Sequence, residues 1–262
     1  MHWQTVVQVG PVPIHVTLCG EGDTVVLLPA GGRGVEDYAH LSQRLARAGY
    51  RAVLPQPRGI DGHTGPLAGL TLHDLGADIA AVITAVGGAP VTIVGHAFGN
   101  RIARVVATDH PTLVKQVILL AAGGMVPIPP ETQHAMRRAF DPRLGREERL
   151  AALRRAYFAL GNDPTPWEHG WHRAARLAQQ AANEVTPVQD WWAAGTVPML
   201  VLQGAEDVGA PPANAQLLAQ AYSDRVTVVE ILGAGHAMLP EQPERIADEI
   251  LRYLGKTATL QE

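Results

Sequence analysis

The sequence predicts an α/β fold: a mostly parallel eight-stranded sheet with helices on both faces and a helical cap inserted after the sixth strand. Three observations carry this. Short β-branched runs alternate with amphipathic stretches, one long tract lacks strand signals, and a Gly-flanked turn joins a strand to a helix near the middle of the chain. At 262 residues and 47% hydrophobic content, one α/β unit can bury a full core.

The strand candidates are "TVVQV", "IHVTLC", "TVVLLP", "YRAVLP", "VTIVG", "VKQVILLAA", "VPMLVLQG" and "RVTVVEIL", each bounded by Gly, Pro or polar turns. Only "GPVP" separates the first two, which predicts an antiparallel hairpin at one edge. Amphipathic stretches lie between later strands. "VEDYAHLSQRLARAG" places Tyr38, Leu41, Leu45 and Ala48 on one face and stops at Gly49. "TLHDLGADIAAVITAVGG" does the same with Leu72, Leu75, Ile79, Val82 and Ile83; "NRIARVVATDHP" and "PERIADEILRYLGK" follow later strands. Parallel neighbours need such crossovers, so a parallel sheet is expected.

From about Met125 to Trp192 the rhythm breaks. This tract holds Pro-rich turns, the Arg-rich helical stretch "REERLAALRRAYFAL" and Trp167, Trp171, Trp191 and Trp192. The expected organisation is a first core segment at 1–124, a helical cap at 125–193 and a second core segment at 194–262. Caps of this kind cover a site and exclude water. The tryptophans are expected to pack the cap onto the core, with one or two free to line a pocket. Arg137, Arg138, Arg146, Arg149, Arg154 and Arg155 read as a solvated helix face. His169 and His172 in "EHGWH" have a spacing a metal could use, but without a third ligand they read as a surface helix.

Composition narrows the function. With 21 basic and 25 acidic residues the net charge is −4, which gives no electrostatic reason to expect nucleic acid. The single cysteine, Cys19, excludes an intrachain disulfide and reads as a small buried hydrophobe. Neither "GEGD" nor "GGRG" completes a dinucleotide fingerprint, and no P-loop pattern exists. The start lacks a basic leader and a long apolar run, and no stretch reaches the length of a membrane span, so a soluble cytoplasmic protein is expected.

The chemistry concentrates at three strand ends. "VTIVG" runs into Gly95-His96-Ala97-Phe98-Gly99 and then a helix from Asn100. A sharp strand-to-helix turn crowds its own backbone, so small residues are needed two positions either side of the apex. Its apex side chain stands clear of the sheet, and the next N–H, that of Phe98, points to the same space. Asp207 follows the seventh strand and His236 the eighth, in the Gly-flanked "LGAGHAMLPEQPE". Strand ends at one edge of a parallel sheet converge where such sheets bind ligands.

Elbow, acid and histidine in that order resemble the α/β-hydrolase fold superfamily, of the esterase, lactonase and C–C hydrolase type. The likeness covers nearly the whole chain, including "LPQPRGIDGHTG", similar to the family's Arg-Gly loop at Arg58 and Gly59, and is weakest in the cap. The resemblance implies His236 as general base and acid, Asp207 as its orienting carboxylate, and the Phe98 N–H as one oxyanion donor. The family's second donor follows a His-Gly pair; here Pro29 and Ala30 stand there, leaving Gly31 as the candidate. "PAGGRG" also lacks the His-Gly-x-Pro motif of epoxide hydrolases, which points to an ester-type substrate.

Ala97 departs from the pattern, because the family's nucleophile stands at this position and a methyl group cannot attack a carbonyl. Three readings stay open: a hydrolase inactivated by replacement of its nucleophile, a natural noncovalent enzyme using His236 and Asp207 as a lyase or through water, and a silent member that binds a small ligand under the cap. In all of them the partner is a small molecule, no cofactor or metal is expected, and the oligomeric state is not legible.

Overall fold

The computed structural model describes residues 2–60 and 65–259. Its single sheet has the order β1-β2-β4-β3-β5-β6-β7-β8. Strands β1 (His2–Val9) and β2 (Val12–Cys19) pair antiparallel over their full length, as the short link requires, with Gly10 supplying a positive φ of 55°. The strand β4 (Tyr50–Pro55) is antiparallel to β2 and parallel to β3 (Asp23–Leu28). From β3 onward, β5 (Val91–His96), β6 (Val114–Leu120), β7 (Met199–Gly204) and β8 (Val226–Ile231) run parallel.

The central strands are apolar on both faces, as a sheet covered twice must be. Val26, Leu28, Ile93, Val117, Leu119, Met199 and Val201 face one core. Val25, Leu27, Val94, Ile118, Leu120, Leu200 and Leu202 alternate with them and face the other. The helices α2 (Leu72–Val86), α3 (Phe98–Asp109) and α7 (Ala213–Ala221) feed the first core. The helices α1 (Ala39–Arg47), α8 (Met238–Glu241) and α9 (Pro243–Thr259) feed the second. Helix α2 begins with a capping box between Thr71 and Asp74 and ends at Gly87, whose φ of 72° suits only glycine. Ala48, expected on the buried face of α1, lies past its end and is exposed.

Between β6 and β7 there is no strand. This insertion holds α4 (Pro130–Ala139), α5 (Arg146–Tyr157) and α6 (Arg173–Val185). Its apolar cluster includes Leu150, Leu153, Tyr157, Phe158 and Trp167, and reaches Ala30 after β3 and Ala237 after β8. Both alanines follow the C-terminal ends of their strands, so the insertion lies across the edge of the sheet where the expected site residues collect. Trp167, Trp191 and Trp192 are buried, and Trp171 is half-buried. Arg137, Arg146, Arg154 and Arg155 are exposed, as a solvated helix face should be, whereas Arg138 and Arg149 are half-buried.

Two expectations need correction. His169 and His172 lie in irregular chain before α6, because Gly170 between them has a φ of 79° that no helix accommodates. The elbow helix begins at Phe98, two residues before Asn100, because the turn is completed by Ala97 itself. Cys19 is buried at the end of β2. Residues 61–64, "DGHT" of the loop after β4, lie outside the described residues. Among the described residues no helix is long and apolar enough to cross a membrane.

The crossing of α3 over β3 yields a stability prediction. A Cβ at Gly99 would stand 2.1 Å from the backbone oxygen of Leu28, whereas one at Gly255 in α9 meets nothing within 4 Å. Gly99→Ala is expected to destabilise the fold by about 3 kcal/mol or more, and Gly255→Ala to be neutral or stabilising by up to about 1 kcal/mol. Urea denaturation of the two variants checks the contrast.

Candidate active site

The elbow forms where the sequence places it. Ala97 holds φ 49° and ψ −104°, a conformation a residue with a Cβ adopts only under constraint. The constraint comes from either side. A Cβ at Gly95 would lie 2.4 Å from the Gly99 oxygen and 2.5 Å from the Asn100 Cα, and the Gly99 contact with Leu28 is tighter still. The Ala97 N–H donates to the Leu120 oxygen at 2.9 Å, tying the apex to the end of β6. Asn100 adds a second tie, its Nδ2 donating to the Ala121 oxygen at 3.1 Å.

Phe98 is the first residue of α3, so its N–H belongs to the helix donors that have no intrahelical acceptor. Gly31 lies beside it: a Cβ at Gly31 would stand 3.3 Å from the Phe98 Cβ. The adjacent Gly32 N–H is engaged, donating to Gln179 Oε1 on α6 at 2.8 Å. The loop after β3 and the first turn of α3 are thus neighbours at Gly31 and Phe98.

Asp207 and His236 meet from the ends of β7 and β8. Asp207 is buried, and its Oδ1 accepts the Gly209 and Ala210 N–H groups at 2.8 and 2.7 Å. His236 Nδ1 lies 3.0 and 3.1 Å from the two carboxylate oxygens. A carboxylate on Nδ1 selects the tautomer with its proton there and leaves the Nε2 lone pair available as a base. Gly209 permits the pairing, since a Cβ there would lie 2.9 Å from His236 Cγ.

His96 connects the dyad to the elbow. It is fully buried, its Nε2 donates to the His236 backbone oxygen at 2.7 Å, and its Nδ1 has no partner. Burial, with the nearby His236 adding to it, holds the His96 imidazole down at about 4. A neutral ring fits this place, between Trp167 and His236 at 5.8 Å from each.

The insertion braces both loops of the site. Arg33, buried after β3, grips Asp37 through Nε at 2.8 Å and Nη2 at 2.5 Å, donates from Nη1 to the His169 oxygen at 2.6 Å, and lies 5.0 and 4.9 Å from the rings of Trp167 and Trp171. Glu241 accepts the Gly235 N–H before His236 at 2.8 Å and two donors of the insertion, the Ala159 N–H and Asn162 Nδ2, both at 2.7 Å. Burial raises the Glu241 carboxyl above its ordinary value. Sequence reasoning missed His96, Arg33, Gln179 and Glu241 because each acts across more than 60 residues or through backbone, which no local pattern marks.

Arg58 of the Arg-Gly loop does not reach the dyad; it pairs with Asp78 on α2 through Nε at 2.6 Å and Nη2 at 2.7 Å. That pair edges a cavity of about 480 Å³, counted with its open mouth, whose walls include Ile14, Leu28, Pro29, Leu75, Ile79 and Phe98. Phe98 and Gly99 join this cavity to the elbow, while Ala97, Asp207 and His236 are not among its walls. Among the described residues no group of three His, Cys, Asp or Glu could hold a metal ion.

Residues 25–249 match the profile of the Alpha/beta hydrolase family. The chain is 26% identical to BpoC of Mycobacterium tuberculosis, provisionally named a non-heme bromoperoxidase, over 89% of this chain and 94% of that one. It is 26% identical to the non-heme chloroperoxidase of Streptomyces lividans over 79% and 82%. The esterase EaEST of Exiguobacterium antarcticum superposes with a TM-score of 0.80 at 20% identity, covering 97% of this chain and 100% of that one.

The buried His96 generates a pH prediction. Its ordinary value of 6.5 applies to the unfolded chain and about 4 to the folded one, so unfolding takes up a proton between these limits. The stability it contributes is present above pH 6.5 and is lost as pH falls toward 4, by up to about 1.4 kcal/mol per pH unit. Equilibrium unfolding at a series of pH values should show a steeper loss in the parent chain than in His96→Asn; equal slopes would refute the assignment.

Proposed function

Because the chain belongs to the alpha/beta hydrolase family, we propose that it is an ester-type hydrolase scaffold working through a nucleophile–His–Asp site whose nucleophile position, Ala97, lacks its hydroxyl. The substrate is a small or medium carboxylic ester, lactone or related carbonyl compound. His236 is the general base and acid, Asp207 orients it, and the N–H groups of Phe98 and Gly31 receive the oxyanion. Residues 125–193 act as a cap that excludes water, and the apolar cavity beyond Phe98 takes a hydrocarbon part of the substrate. No cofactor takes part.

One observation carries the reading. The strained backbone at Ala97 costs on the order of 1 to 3 kcal/mol, yet the chain retains it beside a hydrogen-bonded, desolvated Asp207–His236 pair. This combination favours an apex that presents a side chain to the base. The structural neighbour named an esterase is consistent with this chemistry, and "PAGGRG" lacks the His-Gly-x-Pro motif of epoxide hydrolases.

With alanine present, the covalent step is absent and His236 can activate only water. In the serine protease case, loss of a triad member leaves roughly a thousandfold to ten-thousandfold acceleration over water. The unaltered chain is therefore expected to hydrolyse aryl esters slowly. Ala97→Ser should raise the rate by several orders of magnitude, up to roughly 10⁶-fold, with accumulation of an acyl-enzyme. A panel of short and medium aryl esters tests this, and a serine variant inactive on all of them would sink the proposal. Slow turnover by the unaltered chain that disappears in His236→Ala would assign the residual reaction to direct activation of water.

A further inference from the structure

Among the described residues Arg33 and Arg104 are buried and Arg58 and Arg101 partly so, while Arg51 and Arg225, also half-buried, donate to neutral acceptors. Arg33 and Arg58 each hold a carboxylate through two nitrogens, Asp37 and Asp78. Arg101 and Arg104 on α3 hold none: among the described residues neither forms an ion pair. Arg104 is fully buried, donating from Nη2 to Asn100 Oδ1 at 2.5 Å and to the Gly123 oxygen at 2.7 Å, and from Nε to the Asn100 oxygen at 3.3 Å. Its Nη1 has no partner, and it lies 4.5 and 5.0 Å from the rings of Trp191 and Trp192. Arg101 donates from Nη1 to the side chain of Asn183 on α6 and lies 5.6 Å from the Trp191 ring. Burial lowers both guanidinium values, that of Arg101 to about 10.

Two like charges one turn apart, among indoles and facing only neutral acceptors, are costly without an anion. Their place indicates where one would come from. Arg101 stands one helical turn beyond Ala97, and the residue next to it is Gly123. A Cβ at Gly123 would lie 3.7 Å from Arg101 Nη2 and 3.5 Å from the Ala210 Cβ, and the Ala210 N–H binds Asp207. Gly123 thus lies between the guanidinium and the loop of the catalytic acid, within contact distance of both for a single methyl group.

We propose that Arg101, reinforced by Arg104, recognises a carboxylate carried by the substrate, so that the preferred ester or lactone bears a second, free carboxylate. The inference rests on the ester-hydrolase reading for the location of the substrate, and adds its charge. Arg101 is the specificity residue and touches the ligand; Arg104 acts through the local potential.

Binding to the unaltered chain tests this apart from turnover. Monomethyl succinate, glutarate and adipate would be compared with their dimethyl esters by ligand-observed NMR titration at pH 7. At least one half-ester is expected to bind roughly tenfold or more tightly than its diester, weakening with added salt. In Arg101→Gln that ratio should fall to about one, and Arg101→Lys should restore part of it. Equal binding of half-esters and diesters, no half-ester binding at millimolar concentration, or a preference that survives Arg101→Gln would each overturn the proposal. If Arg101→Gln does not fold, as judged by circular dichroism, the unaltered chain and Arg101→Lys still decide it. Ester hydrolysis by Ala97→Ser without anion preference would defeat this inference alone. An Arg101-dependent preference without hydrolysis by Ala97→Ser would defeat only the catalytic reading.

Discussion

Residue 99 can carry no side chain, because a Cβ there would stand 2.1 Å from the Leu28 oxygen, and this close approach of α3 to β3 governs the whole site. It brings the turn after β5 against the loop after β3, so Phe98 and Gly31 become neighbours although they lie far apart in sequence. Gly95 answers the same crowding from the strand side. Between the two glycines the chain has one path, and on that path Ala97 must take a left-handed backbone. The turn therefore sets the Ala97 side chain at its apex.

Around that turn the insertion acts as a brace as much as a cover. Arg33, gripped by Asp37 and flanked by two tryptophans, joins the loop after β3 to the chain before α6. Glu241 joins the loop of His236 to the chain after α5. Each is a charge-assisted contact between segments that would otherwise be free surface loops. His96 completes the set from beneath, holding the His236 backbone with a ring that burial keeps neutral. The Asp207–His236 pair is therefore located by three supports from three parts of the chain.

The distribution of buried charge divides the molecule. Arg33 and Arg58 each meet a carboxylate, whereas Arg51 and Arg225 are held by neutral acceptors. The pair on α3 differs in placing two guanidinium groups one turn apart, one of them fully buried. Neutral acceptors such as Asn183 and the Gly123 oxygen satisfy geometry without neutralising charge.

The sequence by itself determined the eight strands, the edge hairpin, the strandless insertion and the elbow with its acid and histidine. These are written in local period, in turn residues and in order along the chain. Asp207 and His236, expected after the seventh and eighth strands, meet there, since a parallel sheet ends both strands at one edge. Local pattern misjudged Ala48, placed the start of α3 two residues late, and read a helix through Gly170, where the backbone leaves the helical region. Only the tertiary structure decided which N–H groups border the apex, that His96, Arg33 and Glu241 hold it, and that Arg101 and Arg104 lack carboxylates. Those are contacts between residues brought together by packing, and no periodicity encodes them.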